Sequence, residues 1–425
     1  MQVGGLFSPL PWMMRQRVVI TGMGVLAANG IGLDAFWESL LAGQSGIAPI
    51  TLFDAGEFPV RIAGEVKGFD LRHFTEATVK PRRLGRHTQL AIAALQMAVR
   101  DAGLTREILR RHAPLFLHVG VSTSAIEVIE RGKDQLSTRG PKRVSSYIVT
   151  GCQPNAIASE LSQWLDVQTA VETFSTACAA GISAIQAGYH LIVSGRTDLV
   201  IAGGADAPIT PLTVASFAAT GMLPDDQTSP ATISRPFDLR RCGGVLAEGA
   251  VFLVMERVEH ALMRGAPVRL EVVGHGAAVD APGTEPASGL EQAMCAALEE
   301  AGMAPARVDY VCAHAPSDTV IDRVETAAIR RVLGEGAYRI PVSSIKGVTG
   351  NPLAAAGPME LATCALAFRD GVVPPTANYR ERDPDCDLDY VPDRPRRARL
   401  NAALLNVHGL GGTNASLAVR RFLPA

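Results

Sequence analysis

The tightest constraint on how this chain can fold is an internal echo. Ala179-Ala180-Gly181 is followed, fourteen residues after its glycine, by Gly195, and Ala355-Ala356-Gly357 is followed at the same interval by Gly371. Each stretch reads as a helix of small residues stopped by glycine, and each precedes a strand. A second echo joins the first. Residues 17–24 and 269–276 both run an apolar strand into spaced glycines (Gly22 and Gly24; Gly274 and Gly276). The pairing predicts two similar α/β halves, each a sheet covered by helices. Further strands are expected at 115–121, 199–203, 251–256, 309–313 and 402–406, and helices at 31–43 and 85–103. The chain divides on this reading into an N-terminal extension (1–16), a first half (17–265) and a second half (266–425).

Composition narrows the function class. Hydrophobic residues make up 47% of the chain and aromatics only 5%, with 41 glycines, which suits buried strands and close helix packing. The net charge of −2 gives no reason to expect nucleic acid or an anionic membrane as partner. Seven scattered cysteines without a CxxC pair suit a reducing cytoplasm and carry no zinc signature. The other histidines, His190 and His275 among them, lack ligand spacing, so no metal is expected. The first sixteen residues are too short and too broken by Gly and Pro for a signal peptide or membrane span. They read as a disordered or docking extension, with Met13 or Met14 as possible starts.

Cys178 is the residue that carries chemistry. It sits in Phe174-Ser175-Thr176-Ala177-Cys178-Ala179-Ala180-Gly181, a polar turn running into the first small-residue helix. A helix start aims its positive end and unpaired N–H groups at the sulfur, which favours an accessible thiolate. The bland alternative is a buried apolar cysteine; the setting favours a nucleophile. Three other segments belong with it: Cys312-Ala313-His314-Ala315-Pro316-Ser317-Asp318, Ser343 to Asn351 around Lys346, and the glycine loop Asn406-Val407-His408-Gly409-Leu410-Gly411-Gly412-Thr413-Asn414.

With these segments, Ser234-Arg235-Pro236-Phe237-Asp238 and Ala247-Glu248-Gly249-Ala250, the chain resembles the elongating β-ketoacyl-acyl-carrier-protein synthases of the thiolase superfamily, from about residue 17 to about 422. The resemblance implies a thiolase-like α/β fold of two similar halves in α-β-α-β-α layers. It implies that Cys178 takes an acyl group from a carrier-protein thioester, with the N–H groups of Cys178 and Leu410 as oxyanion hole. His314 then assists decarboxylation of a malonyl thioester, and the enolate attacks the acyl-cysteine. Lys346 tunes the histidine, Glu360 is its carboxylate partner, and Asp322 and Glu325 lie below the site. A solvated helix face is the competing reading for the three carboxylates. No cofactor is implied beyond the phosphopantetheine arriving on the acyl carrier protein. A homodimer, or a heterodimer with a second ketosynthase-like subunit, is implied through residues 168–174.

The chain departs from the pattern at several positions. Asn351 stands where the elongating enzymes have a second histidine; its amide can donate a hydrogen bond but cannot carry a proton's charge. Pro316 and Asp318 replace two threonines that hold the phosphopantetheine arm. Leu410 and Gly244 replace two gating phenylalanines, which predicts a wider acyl pocket unless neighbours refill it. His408 replaces another phenylalanine and either lines the pocket or lends the imidazole that position 351 lacks. The leading expectation is a decarboxylating condensing enzyme of a polyketide or fatty-acid-like pathway. The alternatives are a non-decarboxylating acyltransferase on the same scaffold, or a chain-length-factor-like partner of another ketosynthase.

Overall fold

The computed structural model describes residues 16–75, 81–225, 227–282 and 288–423. The expected extension therefore lies, apart from Gln16, outside the described residues. Ten strands form the spine of one eleven-stranded sheet: β1 (Val18–Ala27), β2 (Leu115–Gly120), β3 (Thr169–Phe174), β4 (Leu199–Asp206), β5 (Gly249–Arg257), β6 (Leu270–Val279), β7 (Tyr310–Cys312), β8 (Val342–Ser343), β9 (Ala402–Gly409) and β10 (Thr413–Arg420). The eleventh, Gly30–Ile31, folds back on the end of β1.

The spatial order is β8-β7-β9-β10-β6-β1-β5-β4-β2-β3. Read outward from the centre, each half repeats the same pattern of two antiparallel neighbours followed by two parallel ones. The two halves are thus alike, as the echoes predicted. They are not separate sheets, however: Val18↔Val272, Val19↔Glu271 and Ile20↔Leu270 pair β1 with β6 and join the two into one.

Seven helices clothe the sheet: α1 (Leu33–Leu41), α2 (Arg86–Asp101), α3 (Ala156–Leu165), α4 (Ala180–Val193), α5 (Ser288–Glu300), α6 (Ile321–Leu333) and α7 (Ala356–Asp370), with further helices between them, the longest of these Ile126–Arg139. α2 and α3 bury Leu90, Leu95 and Leu161 against Leu117, Val119 and Phe252 of the first half. α5 and α6 do the same in the second half with Leu290, Met294 and Ile329 against Val311 and Leu404. Between them α4 and α7 pack on each other and on strands of both halves, through Ile182, Ile185 and Met359. These are the five α-β-α-β-α layers.

The glycine echo has a steric cause. A Cβ on Gly22 or Gly24 would lie 2.3 or 1.9 Å from carbonyl oxygens of α2, and one on Gly274 or Gly276 would lie 2.2 or 2.0 Å from those of α5. Each half needs its first strand bare there so that an outer helix can close on it. Gly371, at φ 64°, ends α7 as expected. The chain then departs from the echo, because Val372–Val373 pairs with Arg396–Arg397 outside the main sheet. The inserted segment buttresses the site: Tyr390 stacks on Phe237 at 3.9 Å, and the N–H groups of Arg380 and Glu381 donate to Asp238. Among the described residues no helix is long and apolar enough to cross a membrane.

Candidate active site

Cys178 lies on the turn between β3 and α4. Ala177 takes a left-handed φ of 50°, and Ala179 and Ala180 donate back to Thr176 and Ala177, so the sulfur sits at a sharp corner two residues before the helix. The corner is buried, and Cys178 is 3% exposed. Burial pushes its thiol up to about 11; the Lys346 charge, the Asn351 side chain and the Leu410 N–H pull the other way, and the Asp206 carboxyl adds to the rise. The expected accessible thiolate is therefore corrected to a buried thiol, since desolvation outweighs the helix end. Alkylation by iodoacetamide should accelerate about tenfold per pH unit between roughly pH 7 and 9. A rate flat across that range would show a resting thiolate instead.

Two donors face the sulfur. Asn351 is fixed by its own backbone, which donates to Val245 O at 2.8 Å and accepts from Ala247 N at 3.0 Å. Its Oδ1 accepts from Leu353 N–H at 3.3 Å, which turns the amide's donor end toward Cys178. Leu410 sits on the tip joining β9 to β10, where Gly412 donates to Gly409 at 3.1 Å and Gly411, at φ 82°, supplies the left-handed corner. That turn aims the Leu410 N–H at the sulfur.

His314 follows β7 and is 1% exposed. Glu325 on α6 holds its backbone: the N–H groups of His314 and Ala315 donate to the two carboxylate oxygens at 3.0 and 2.8 Å, and Asn406 Nδ2 donates at 3.1 Å. Burial first, then the charges of Lys346 and His408, drive the imidazole well below the usual histidine range, so it is neutral. Its Nδ1 is buried without a protein partner. Lys346 and Glu360 meet at 2.5 Å and are almost wholly buried, joining the segment after β8 to α7. Burial raises the Glu360 carboxyl, while the Lys346 ammonium opposes that rise.

The carboxylates are thus a buried network rather than a solvated face. Asp322 accepts from Phe237 N–H at 2.8 Å and from Asp318 N–H at 3.1 Å, with Arg241 3.9 Å away, and burial lifts it to about 8. It anchors the Ser234–Asp238 segment, whose Ser234 hydroxyl donates to Lys346 O at 2.8 Å.

Gly244, Pro316, Asp318, His408 and Leu410 line one 140 Å³ cavity with Cys178, His314 and Asn351. Gly244 faces Pro316 across it, where a Cβ would lie 3.0 Å from Pro316 O. The Gly244 N–H donates to Met222 O at 2.9 Å, and a Cβ on neighbouring Gly243 would lie 2.7 Å from the backbone of Leu223. Asp318 spends one oxygen on Val320 and Ile321 N–H, capping α6. His408 Nδ1 lies 2.6 Å from Asn414 Oδ1. Asn414 Nδ2 already donates to Asp280 and Gly412 O, so His408 must donate from Nδ1.

The sequence reading missed Asp206. At the buried end of β4, which runs three residues past its expected limit, it accepts from Ser122, Thr123 and Ala354 N–H at 2.9–3.0 Å. It ties the first half to the turn after Asn351. A charged residue closing an apolar strand was its only signal.

Comparison with known proteins sets this geometry in a family. Residues 15–261 match "Beta-ketoacyl synthase, N-terminal domain", and residues 270–380 match the C-terminal domain of the same family. The chain belongs to the β-ketoacyl synthase family. It is 38% identical to 3-oxoacyl-[acyl-carrier-protein] synthase 2 of Coxiella burnetii, over 96% of this chain and 99% of that one. It is also 38% identical to the tetracenomycin polyketide synthase ketoacyl synthase alpha subunit of Streptomyces glaucescens, over 96% and 97%. Among solved structures, the ishigamide ketosynthase/chain length factor superposes with a TM-score of 0.90 at 33% identity, covering 96% of this chain and all of that one. A type II polyketide ketosynthase solved with its acyl carrier protein and a hexaketide gives 0.86 at 31%, with the same coverage. The chain is thus a ketosynthase, an acyltransferase that forms carbon–carbon bonds by decarboxylative condensation.

Proposed function

We propose that this ketosynthase uses Cys178, His314 and Asn351 to join an acyl group to a malonyl unit, both delivered on an acyl carrier protein. The observation that carries the reading is the convergence on one buried sulfur of the Asn351 amide and the Leu410 N–H, with neutral His314 in the same cavity. In the first step the Cys178 sulfur attacks the carrier thioester; the new S–C bond replaces the old one, and the carrier thiol leaves with the proton. His408, tied to Asn414 through Nδ1, lines the same cavity and is the imidazole assigned to relay that proton. In the second step the malonyl C–C bond breaks, carbon dioxide leaves, and the electron pair passes to an enolate. His314 and Asn351 donate hydrogen bonds to its oxygen. The enolate carbon attacks the acyl-cysteine, the oxyanion rests on the Cys178 and Leu410 N–H groups, and the sulfur leaves.

The relatives named as a 3-oxoacyl-[acyl-carrier-protein] synthase and as a polyketide synthase subunit support a substrate among carrier-bound acyl chains. β3 is the edge strand of the first half, with Val171 exposed, and fits pairing with a second subunit, identical or related. The compartment that suits such an enzyme and its seven free cysteines is the cytoplasm. A chain-length partner is the lesser reading, because an acyl acceptor with its donors in place is what such a partner does without.

The test mixes the protein with acyl- and malonyl-carrier protein and follows protein mass and carbon dioxide. An adduct on Cys178 with carbon dioxide release is expected. An adduct with transfer to another acceptor and no carbon dioxide would favour the non-decarboxylating acyltransferase, and no adduct the partner reading. Asn351→Ala should lower carbon dioxide release by about 10²–10³ while Cys178 is still acylated. An unchanged release rate would remove Asn351 from the chemistry. His408→Phe with an undiminished acylation rate would do the same for His408.

A further inference from the structure

At the end of α4 remote from Cys178, three side chains converge that no part of the condensation uses. His190 stands in the last turn of α4, His275 on β6 and Glu300 at the final position of α5. His275 Nε2 lies 2.7 Å from His190 Nε2 and 3.3 Å from Glu300 Oε2, and the three ligand atoms all fall within 4.8 Å of one another. The imidazole planes stand at 90°, so the rings meet edge to face rather than stacking.

We propose that His190, His275 and Glu300 form a binding site for a divalent transition metal of the zinc class. Two imidazole nitrogens and one carboxylate oxygen are a donor set that zinc takes, with the remaining position left to water. Zinc bonds of about 2.0–2.2 Å in a tetrahedral arrangement put ligand atoms about 3.3 Å apart. The His275–Glu300 separation already has that value, and the two imidazoles need to part by a fraction of an ångström. His190 is exposed, so this movement is a side-chain adjustment at the surface. The electrostatics favour a cation independently. The site lies at the C-terminal ends of both α4 and α5, where unpaired carbonyls gather the negative end of each helix. Glu300 is further oriented by the His275 N–H, which donates to it at 2.9 Å.

A metal here is a clip. It ties the nucleophile helix of the first half to the opening strand and outer helix of the second, about 15 Å along α4 from the helix start. Sequence spacing could not show it, because the ligands come from three elements and positions 85 and 25 residues apart.

The test uses the full chain after treatment with a chelator, titrated with Zn²⁺ and, for its visible spectrum, with Co²⁺. Saturating Zn²⁺ should raise the melting temperature by at least about 3 °C. Co²⁺ should give nitrogen- and oxygen-ligand bands at one equivalent, without the thiolate charge-transfer band that binding to cysteines would produce. Both effects should vanish in His190→Ala and in Glu300→Gln, while condensation by the metal-free variants equals that of the metal-free parent. His190 is exposed, so its alanine variant tests the site without disturbing the core. An equal melting shift in His190→Ala, a thiolate band, or no shift at millimolar Zn²⁺ would each overturn the proposal.

Discussion

With Cys178 replaced by alanine, acyl transfer to the protein stops and condensation falls by at least about 10⁴-fold. The change takes away the sulfur on which the acyl group rests, at the point where the Asn351 and Leu410 donors converge. Stability should move little, since Ala fits a corner whose backbone is held by Thr176 and Ala177 and the sulfur's partners can turn to water. The measurement is protein mass after exposure to acyl-carrier protein, beside a denaturation curve. Residual adduct on the alanine variant would place the acyl group on another residue.

The second large effect concerns the ion pair beneath the site. Lys346→Ala leaves Glu360 buried and unpaired, with Oε2 already lacking a partner, and should destabilise the fold by about 3–5 kcal/mol. Lys346→Met with Glu360→Leu removes both charges and should restore most of that loss, because the desolvation cost disappears with them. The chemistry should not recover. Lys346 is one of the causes that hold His314 neutral, so its loss lets the imidazole's pKa climb back toward the ordinary value near 6.5.

The sign of the pH effect follows from that depression. A histidine kept neutral in the fold takes up its proton more readily when unfolded. The parent protein therefore loses stability as pH falls below about 6.5, toward the depressed folded value. In the double variant that acid-side loss should be shallower. Denaturant midpoints across acidic pH decide this; equal slopes in the two proteins would mean that Lys346 does not act on His314.

What was legible in the sequence is what local pattern can encode. The small-residue helices showed themselves because Gly181 and Gly357 must admit a neighbouring helix or turn, and a Cβ on Gly181 would lie 2.2 Å from Ala354 O. The spaced glycines of β1 and β6 showed themselves for the same reason. The joining of the two sheets did not, because three pairings between β1 and β6 leave no mark on either strand's pattern. In the site, motif order placed Cys178, His314, Lys346, Asn351 and Leu410 together. The state of the sulfur was misread, since burial is a property of the assembled halves and not of the turn that carries it. Asp206 was missed because its work lies in gathering N–H groups from segments more than eighty positions away.

The central claim is that an acyl group on Cys178 is joined to a malonyl unit within one buried cavity. The most direct test loads Cys178 with an acyl group, adds malonyl-carrier protein for a single turnover, and weighs the carrier. The account predicts a carrier bearing the acyl chain lengthened by a two-carbon β-keto unit, with Cys178 returned to the free thiol. A carrier still bearing malonyl or only acetyl, with the acyl group left on Cys178, would contradict it.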